Sequence, residues 1–301
     1  MTTNNHPHFA IIGSMKSGST SLSKLLDTDP NIFITKHKEP GFFSRDERYR
    51  EGTNAYLKHF ETSEPHQLTG EASTCYSRKA EFPLAAERLH EHNPECKLVY
   101  IMRDPVRRAY SDYSHRMANR IVTDESVMSY TDALSSIPQI LDASNYFLQI
   151  ENYLRFFSAN QLHCIIFEEL VNNPEEELTR LYNFFGLNKP SEISELSHHN
   201  EKGTKLANRE SKAVIKQLSK YVPNIFKKII SEEKKEALRH RARTFLIAQK
   251  LSSSKDNLER IIDARSEQVD NMVFDELEAS IENLEAFLDR GLDIWKEPYR
   301  V

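Results

Sequence analysis

Glycine is scarce in this chain, at 8 of 301 residues, against a usual share of about 7%. The shortage excludes collagen-like, low-complexity and turn-dense β-sandwich architectures. It predicts a largely helical chain in which each remaining glycine has a backbone task. Cysteine is equally sparse. Cys75, Cys96 and Cys164 are odd in number and far apart, which fits a reducing compartment and offers no metal-ligand spacing. No stretch approaches the ~18 consecutive apolar residues of a spanning helix. The longest apolar runs, such as Leu98 to Met102, are strand-sized. The opening Met-Thr-Thr-Asn-Asn-His-Pro-His has neither the basic nor the apolar region of a signal peptide. Positive charge is not in excess either, since the net charge is −5, so nucleic acid is not an expected partner. A cytoplasmic enzyme or binding protein without a membrane span is the expectation these absences leave.

What is present is an alternation of strands and helices. Apolar runs predict strands at Phe9–Ile12, Ile32–Ile34, Leu68–Glu71, Leu98–Met102 and Leu162–Phe167. The fourth has no polar alternation, as in a parallel strand covered on both faces. Helices are expected at Ser19–Leu26, at about Val106–Asn119, and at Pro174–Phe185 with Gly186 as its stop. This order implies an α/β fold, a P-loop-type parallel sheet of about five strands flanked by helices. Beyond residue 205 the strand signal ends. Residues 205–265 carry sixteen Lys/Arg against seven Asp/Glu, and 266–301 carry three against ten. Ile281, Leu284, Leu288 and Leu292 there keep helical spacing. The expected organisation is one domain over 1–301, with an α/β core in 1–204 and a helical carboxyl-terminal extension in 205–301 packed on it.

The loop after the first strand is Gly13-Ser14-Met15-Lys16-Ser17-Gly18-Ser19-Thr20. Its glycine spacing is that of the P-loop, G-x-x-x-x-G-K-[ST], but the lysine is displaced to position 16 and Ser19 stands where a kinase has lysine. Backbone N–H groups and a helix N-terminus still present partial positive charge to an anion, and Lys16 adds a full one. The bland alternative is a tight turn with a solvated lysine. A second element follows the fourth strand: Arg103-Asp104-Pro105-Val106-Arg107-Arg108-Ala109-Tyr110-Ser111-Asp112-Tyr113. A nucleotide kinase needs an acid there to hold Mg²⁺. This chain has an arginine, with Ser111 two helical turns on, a guanidinium fork and a hydroxyl suited to a second phosphate. A surface ion pair is the plainer reading of Arg103.

Together the two motifs resemble those of the sulfotransferases that use 3′-phosphoadenosine 5′-phosphosulfate (PAPS), in their heparan-sulfate-type and related bacterial branch. Lys38-Glu39-Pro40-Gly41-Phe42-Phe43 is similar to that branch's K-E-x-x-F-F segment. Phe167-Glu168-Glu169-Leu170, Asn183-Phe184-Phe185-Gly186-Leu187 and Leu292-Asp293-Ile294-Trp295 are further echoes, and the likeness spans roughly residues 8–200. The resemblance implies that Lys16, Ser17, Gly18, Ser19, Thr20 and Ser21 hold the 5′-phosphosulfate. By the same resemblance, Arg103 and Ser111 hold the 3′-phosphate, and Lys202 and Gly203 close over the nucleotide. No metal is expected. The sulfuryl group carries less negative charge than a phosphoryl group, so lysine and backbone donors can serve.

The resemblance also implies that Glu39 is the general base, and the sequence places it just past the second strand, where the phosphate loop opens. Lys16 would bridge the breaking S–O–P oxygen. His37 is a rival base, and Glu71 and Ser73, ending the third strand, are candidate substrate contacts. Family members usually carry lysine at the position of Ala72 and often His or Gln at that of Gly41. Both departures count against a glycosaminoglycan acceptor. The expected acceptor is a small molecule or a saccharide, presenting a hydroxyl or an amine. Two other readings stay open: an atypical P-loop nucleotide kinase, and a non-catalytic nucleotide-binding scaffold.

Overall fold

A computed structural model describes residues 7–36, 39–123, 125–190 and 266–299. The expected strands form at Phe9–Gly13 (β1), Ile32–Ile34 (β2), Leu68–Ala72 (β3), Lys97–Met102 (β4) and Leu162–Ile166 (β5). They make one parallel sheet in the order β2-β3-β1-β4-β5. β1 is buried along its whole length, and β4 from Leu98 onward. Their side chains alternate between two apolar layers. Phe9, Ile11, Val99 and Ile101 face one layer with Leu22, Leu26 and Leu181. Ala10, Ile12, Leu98 and Tyr100 face the other with Val106, Ile150 and Phe274.

Helices cover both faces. α1 is Ser19–Leu26, entered through Gly18 in the left-handed region at φ 93°. Between β2 and β3 lie the short helices α2 (Asp46–Arg50) and α3 (Thr53–Leu57), and α4 (Ala85–His92) precedes β4. α5 (Pro105–Val122) has Asp104 as its cap: Oδ1 accepts the N–H groups of Val106 at 3.0 Å and Arg107 at 3.1 Å. Pro105 suits the first turn, where no intrahelical N–H bond is needed. α6 (Tyr130–Ser136), α7 (Gln139–Asp142) and α8 (Tyr146–Leu154) lead to β5. The fifth strand ends one residue earlier than expected, because Phe167 opens α9 (Phe167–Asn172). α10 is Pro174–Phe185 and stops at Gly186, φ 78°, as its sequence implies.

Of the acidic segment, residues 266–299 are described. α11 (Glu267–Leu288) starts on Ser266, whose hydroxyl accepts from Val269 N–H, and buries Val273, Phe274, Leu277, Ile281 and Leu284. It packs on α8 and α5, and α12 (Asp293–Lys296) follows. The basic stretch 205–265, Lys202, Gly203 and His37 lie outside the described residues. No helix among the described residues is long and apolar enough to cross a membrane.

Candidate active site

In a parallel sheet every strand delivers its carboxyl end to the same edge, and the crevice opens where neighbouring connections diverge. Here β1 lies between β3 and β4. The edge therefore gathers the 13–18 loop, the β2–α2 loop with Glu39, the end of β3 and Arg103 after β4.

The loop is anchored to β4 by Ser14 N–H, which donates to the Ile101 carbonyl at 2.7 Å. The hydroxyls of Ser14 and Ser17 are hydrogen-bonded to each other. Gly18 is required twice. Its φ is positive, and a Cβ there would stand 2.8 Å from the Phe167 ring. The same ring lies under the Arg103 guanidinium, 5.6 Å from its carbon. Phe167 thus touches both the loop after β1 and the arginine after β4, a role its place in the sequence does not announce.

Tyr146 ties the same two elements together. Its hydroxyl donates to the Arg103 carbonyl at 2.7 Å and accepts from Arg103 N–H at 3.4 Å. The hydroxyls of Ser14 and Ser17 lie beside it, and burial pushes its pKa up to about 12. The charge of Arg108, which is 0% exposed, acts on Tyr146. Arg108 Nε donates to Ser144 Oγ at 2.6 Å, its Nη2 donates to the Ile140 carbonyl, and its Nη1 lies 3.6 Å from Asp112. Arg103 Nε is buried and has no hydrogen-bond partner among the described residues. Ser111 stands two turns into α5, half-buried. Ser19 is buried, Thr20 half-buried and Ser21 exposed at the start of α1.

Lys16 and Glu39 have an unusual backbone. Among the described residues three non-glycine positions have positive φ: Lys16 at 75°, Glu39 at 59° and Asp289 at 51°. Asp289 ends α11. The other two are the residues singled out as catalytic, and strained backbone of this kind persists where surrounding structure enforces it. Glu39 is held on three sides. Its N–H donates to the Ala72 carbonyl at 3.0 Å, its own carbonyl accepts from Arg48 Nη1 at 3.1 Å, and its Oε1 accepts from Thr74 Oγ1 at 3.1 Å.

Glu71 and Ser73 lie beneath this site and are both 0% exposed. Glu71 accepts hydroxyl protons from Tyr56, Tyr76 and Ser73, so its bonds point into the protein. The structure therefore encloses both side chains within the protein.

A parallel five-stranded sheet flanked by helices, with a glycine-bounded loop between β1 and α1, places the chain in the P-loop-type α/β class. Residues 6–248 match the sulfotransferase domain family, and the chain belongs to that family. Similar curated proteins include mouse heparan sulfate glucosamine 3-O-sulfotransferase 5, 29% identical over 197 residues, covering 63% of this chain and 55% of that protein. The human 3-O-sulfotransferase 3B1 is 30% identical over 188 residues, covering 61% and 47%. The chain spans about half the length of the curated relatives it matches. Among solved structures, the sulfotransferase from Alicyclobacillus acidocaldarius superposes with a TM-score of 0.58 at 21% identity, covering 97% of this chain and 99% of that one. That is a likeness of fold.

Proposed function

We propose that the chain transfers the sulfuryl group of PAPS to a hydroxyl or amine of a saccharide or small-molecule acceptor, releasing adenosine 3′,5′-bisphosphate. Two positive-φ residues, Lys16 after β1 and Glu39 after β2, fall at the same edge of the parallel sheet, and this carries the reading. Lys16 and the amides at the start of α1 stabilise charge on the leaving phosphate. Ser17, Gly18, Ser19, Thr20 and Ser21 surround the 5′-phosphosulfate. Arg103, whose side chain is partly exposed, and Ser111 take the 3′-phosphate. Glu39 accepts the acceptor's proton as the new O–S or N–S bond forms and the S–O bond to phosphate breaks. The names of the curated relatives support a saccharide, whereas Ala72 and Gly41, where that branch usually carries lysine and His or Gln, leave the site without those polar groups and less basic. Lys202, Gly203 and His37 keep their proposed places, lid and alternative base, outside the described residues.

The kinase reading is disfavoured by Asp104, the acid nearest the end of β4. Its Oδ1 caps α5 and its Oδ2 accepts from Tyr299 at 2.8 Å, with Arg107 at 3.2 Å. Both oxygens are already engaged, and the residue is 2% exposed. The decisive test uses radiolabelled PAPS with N-sulfated heparan oligosaccharides and small alcohols as acceptors. Glu39→Gln should lower kcat about 100-fold while leaving affinity for adenosine 3′,5′-bisphosphate unchanged. Equal turnover would remove Glu39 from the mechanism.

A further inference from the structure

We infer that Glu71, acting through Ser73 and Tyr76, is the positioning residue that holds Glu39 in its working geometry. This rests on the reading of Glu39 as the base. Glu71 is a carboxylate with no exposed surface, and among the described residues no cation is hydrogen-bonded to it. A group so costly to bury calls for a task. Its three partners are hydroxyls: Tyr56 donates to Oε1 at 2.5 Å, Tyr76 to Oε1 at 2.9 Å and Ser73 to Oε2 at 2.7 Å.

The direction of those bonds is the point. An ionised carboxylate only accepts, so each hydroxyl must turn its single proton towards Glu71. Each hydroxyl oxygen is then left with lone pairs for the opposite side. Ser73 Oγ accepts the N–H of Gly41 at 2.9 Å, and Tyr76 Oη accepts the N–H of Phe43 at 3.4 Å. Both N–H groups belong to the loop that begins at Glu39. Ala72, between Glu71 and Ser73, accepts the N–H of Glu39 itself, and Thr74 reaches its carboxylate. The end of β3 thus grips residues 39–43 along their length.

That loop needs an external grip. Glu39 and Gly41 have φ of 59° and 58° on either side of Pro40, a backbone that persists only where its surroundings enforce it. Arg48 serves both groups, donating to the Glu39 carbonyl and favouring the charged form of Glu71. Burial pushes the Glu71 carboxyl up from its ordinary range, while the three hydroxyls and Arg48 pull it down. In Glu71→Gln an amide N–H₂ would face one of the hydroxyls, whose buried proton would lose its acceptor. The arrangement would then no longer dictate which way the hydroxyls point.

The test compares wild type, Ser73→Ala and Glu71→Gln. The side-chain carboxylates are observed by ¹³C NMR in glutamate-labelled protein, with the Glu39 signal assigned by its loss in Glu39→Gln. Alongside, calorimetry measures adenosine 3′,5′-bisphosphate binding, and transfer from radiolabelled PAPS to an N-sulfated heparan oligosaccharide is followed. Both variants should move or broaden the Glu39 signal and keep nucleotide affinity within about twofold. They should lower kcat about tenfold or more at nearly constant acceptor KM, the signature of a misplaced catalytic group in a folded protein. A folded variant with wild-type Glu39 signal and kcat overturns the inference. If Glu71→Gln does not fold, Ser73→Ala decides. Wild type that neither binds the nucleotide nor transfers sulfate defeats the functional reading alone, and the Glu39 signal still decides the positioning.

Discussion

Lys16 and Glu39 share a backbone state that few residues with side chains adopt, and each such position costs of order 1–3 kcal/mol. The cost is met by neighbours: Ser14 and Ser17 inside the loop, Ala72, Thr74 and Arg48 around Glu39. A different residue governs how stability responds to acid. His163 on β5 stacks on Phe184 at 5.2 Å, with its Nε2 buried and without a hydrogen-bond partner among the described residues. Burial, then the charges of Arg180 and Arg290, lower its pKa from 6.5 to about 4. The unfolded chain therefore binds a proton between pH 6.5 and 4 that the folded chain refuses, so stability falls as pH drops through that window. His163→Phe keeps the stack and removes the titration. Urea unfolding at pH 7.5 and pH 5 should show the variant gaining about 2 kcal/mol on wild type at the lower pH. Parallel behaviour of the two proteins would remove His163 from the acid response.

Among the elements, the corner between β4 and α5 is held by residues from the far end of the chain. Trp295 Nε1 donates to Glu168 at 2.9 Å, Glu168 accepts Asp104 N–H at 3.1 Å, and Tyr299 donates to Asp104. Arg290 pairs with Glu169 at 2.6 Å. This clasp closes over the residue next to Arg103. Tyr299→Phe leaves the buried Asp104 carboxylate short of a donor, and should cost about 1–2 kcal/mol in urea unfolding and weaken adenosine 3′,5′-bisphosphate binding several-fold. Unchanged affinity would make the clasp a purely structural feature. The five strands, the glycine-bounded loop between β1 and α1 and the ends of α10 were legible in the sequence, because continuous apolar runs, glycine spacing and Pro/Gly punctuation are local signals. The clasp was not, since nothing local links Trp295 and Tyr299 to Glu168 and Asp104. α8 carries a signal in Asn145 as cap and Tyr146, Ile150 and Tyr153 at helical spacing, yet the role of Tyr146 beside Arg103 depends on tertiary packing. For the same reason Glu71 reads as a site residue from its place at a strand end, whereas folding turns it inward to Tyr56 and Tyr76.

At the level of the molecule, sheet order does the assembling. With β1 between β3 and β4, one edge collects a lysine loop, an arginine after a buried strand and a glutamate on a strained turn. The proposed sites for the two phosphates follow neighbouring strands, β1 and β4. The most direct measurement is calorimetric titration of wild type and Arg103→Ala with adenosine 3′,5′-bisphosphate and with adenosine 5′-phosphate, in buffer without divalent cations. Wild type should bind the bisphosphate about ten- to a hundredfold more tightly than the monophosphate, as charge-assisted hydrogen bonds to one phosphate provide. Arg103→Ala should lose most of that preference. Equal affinity of wild type for the two nucleotides would contradict the assignment of Arg103, and with it the donor.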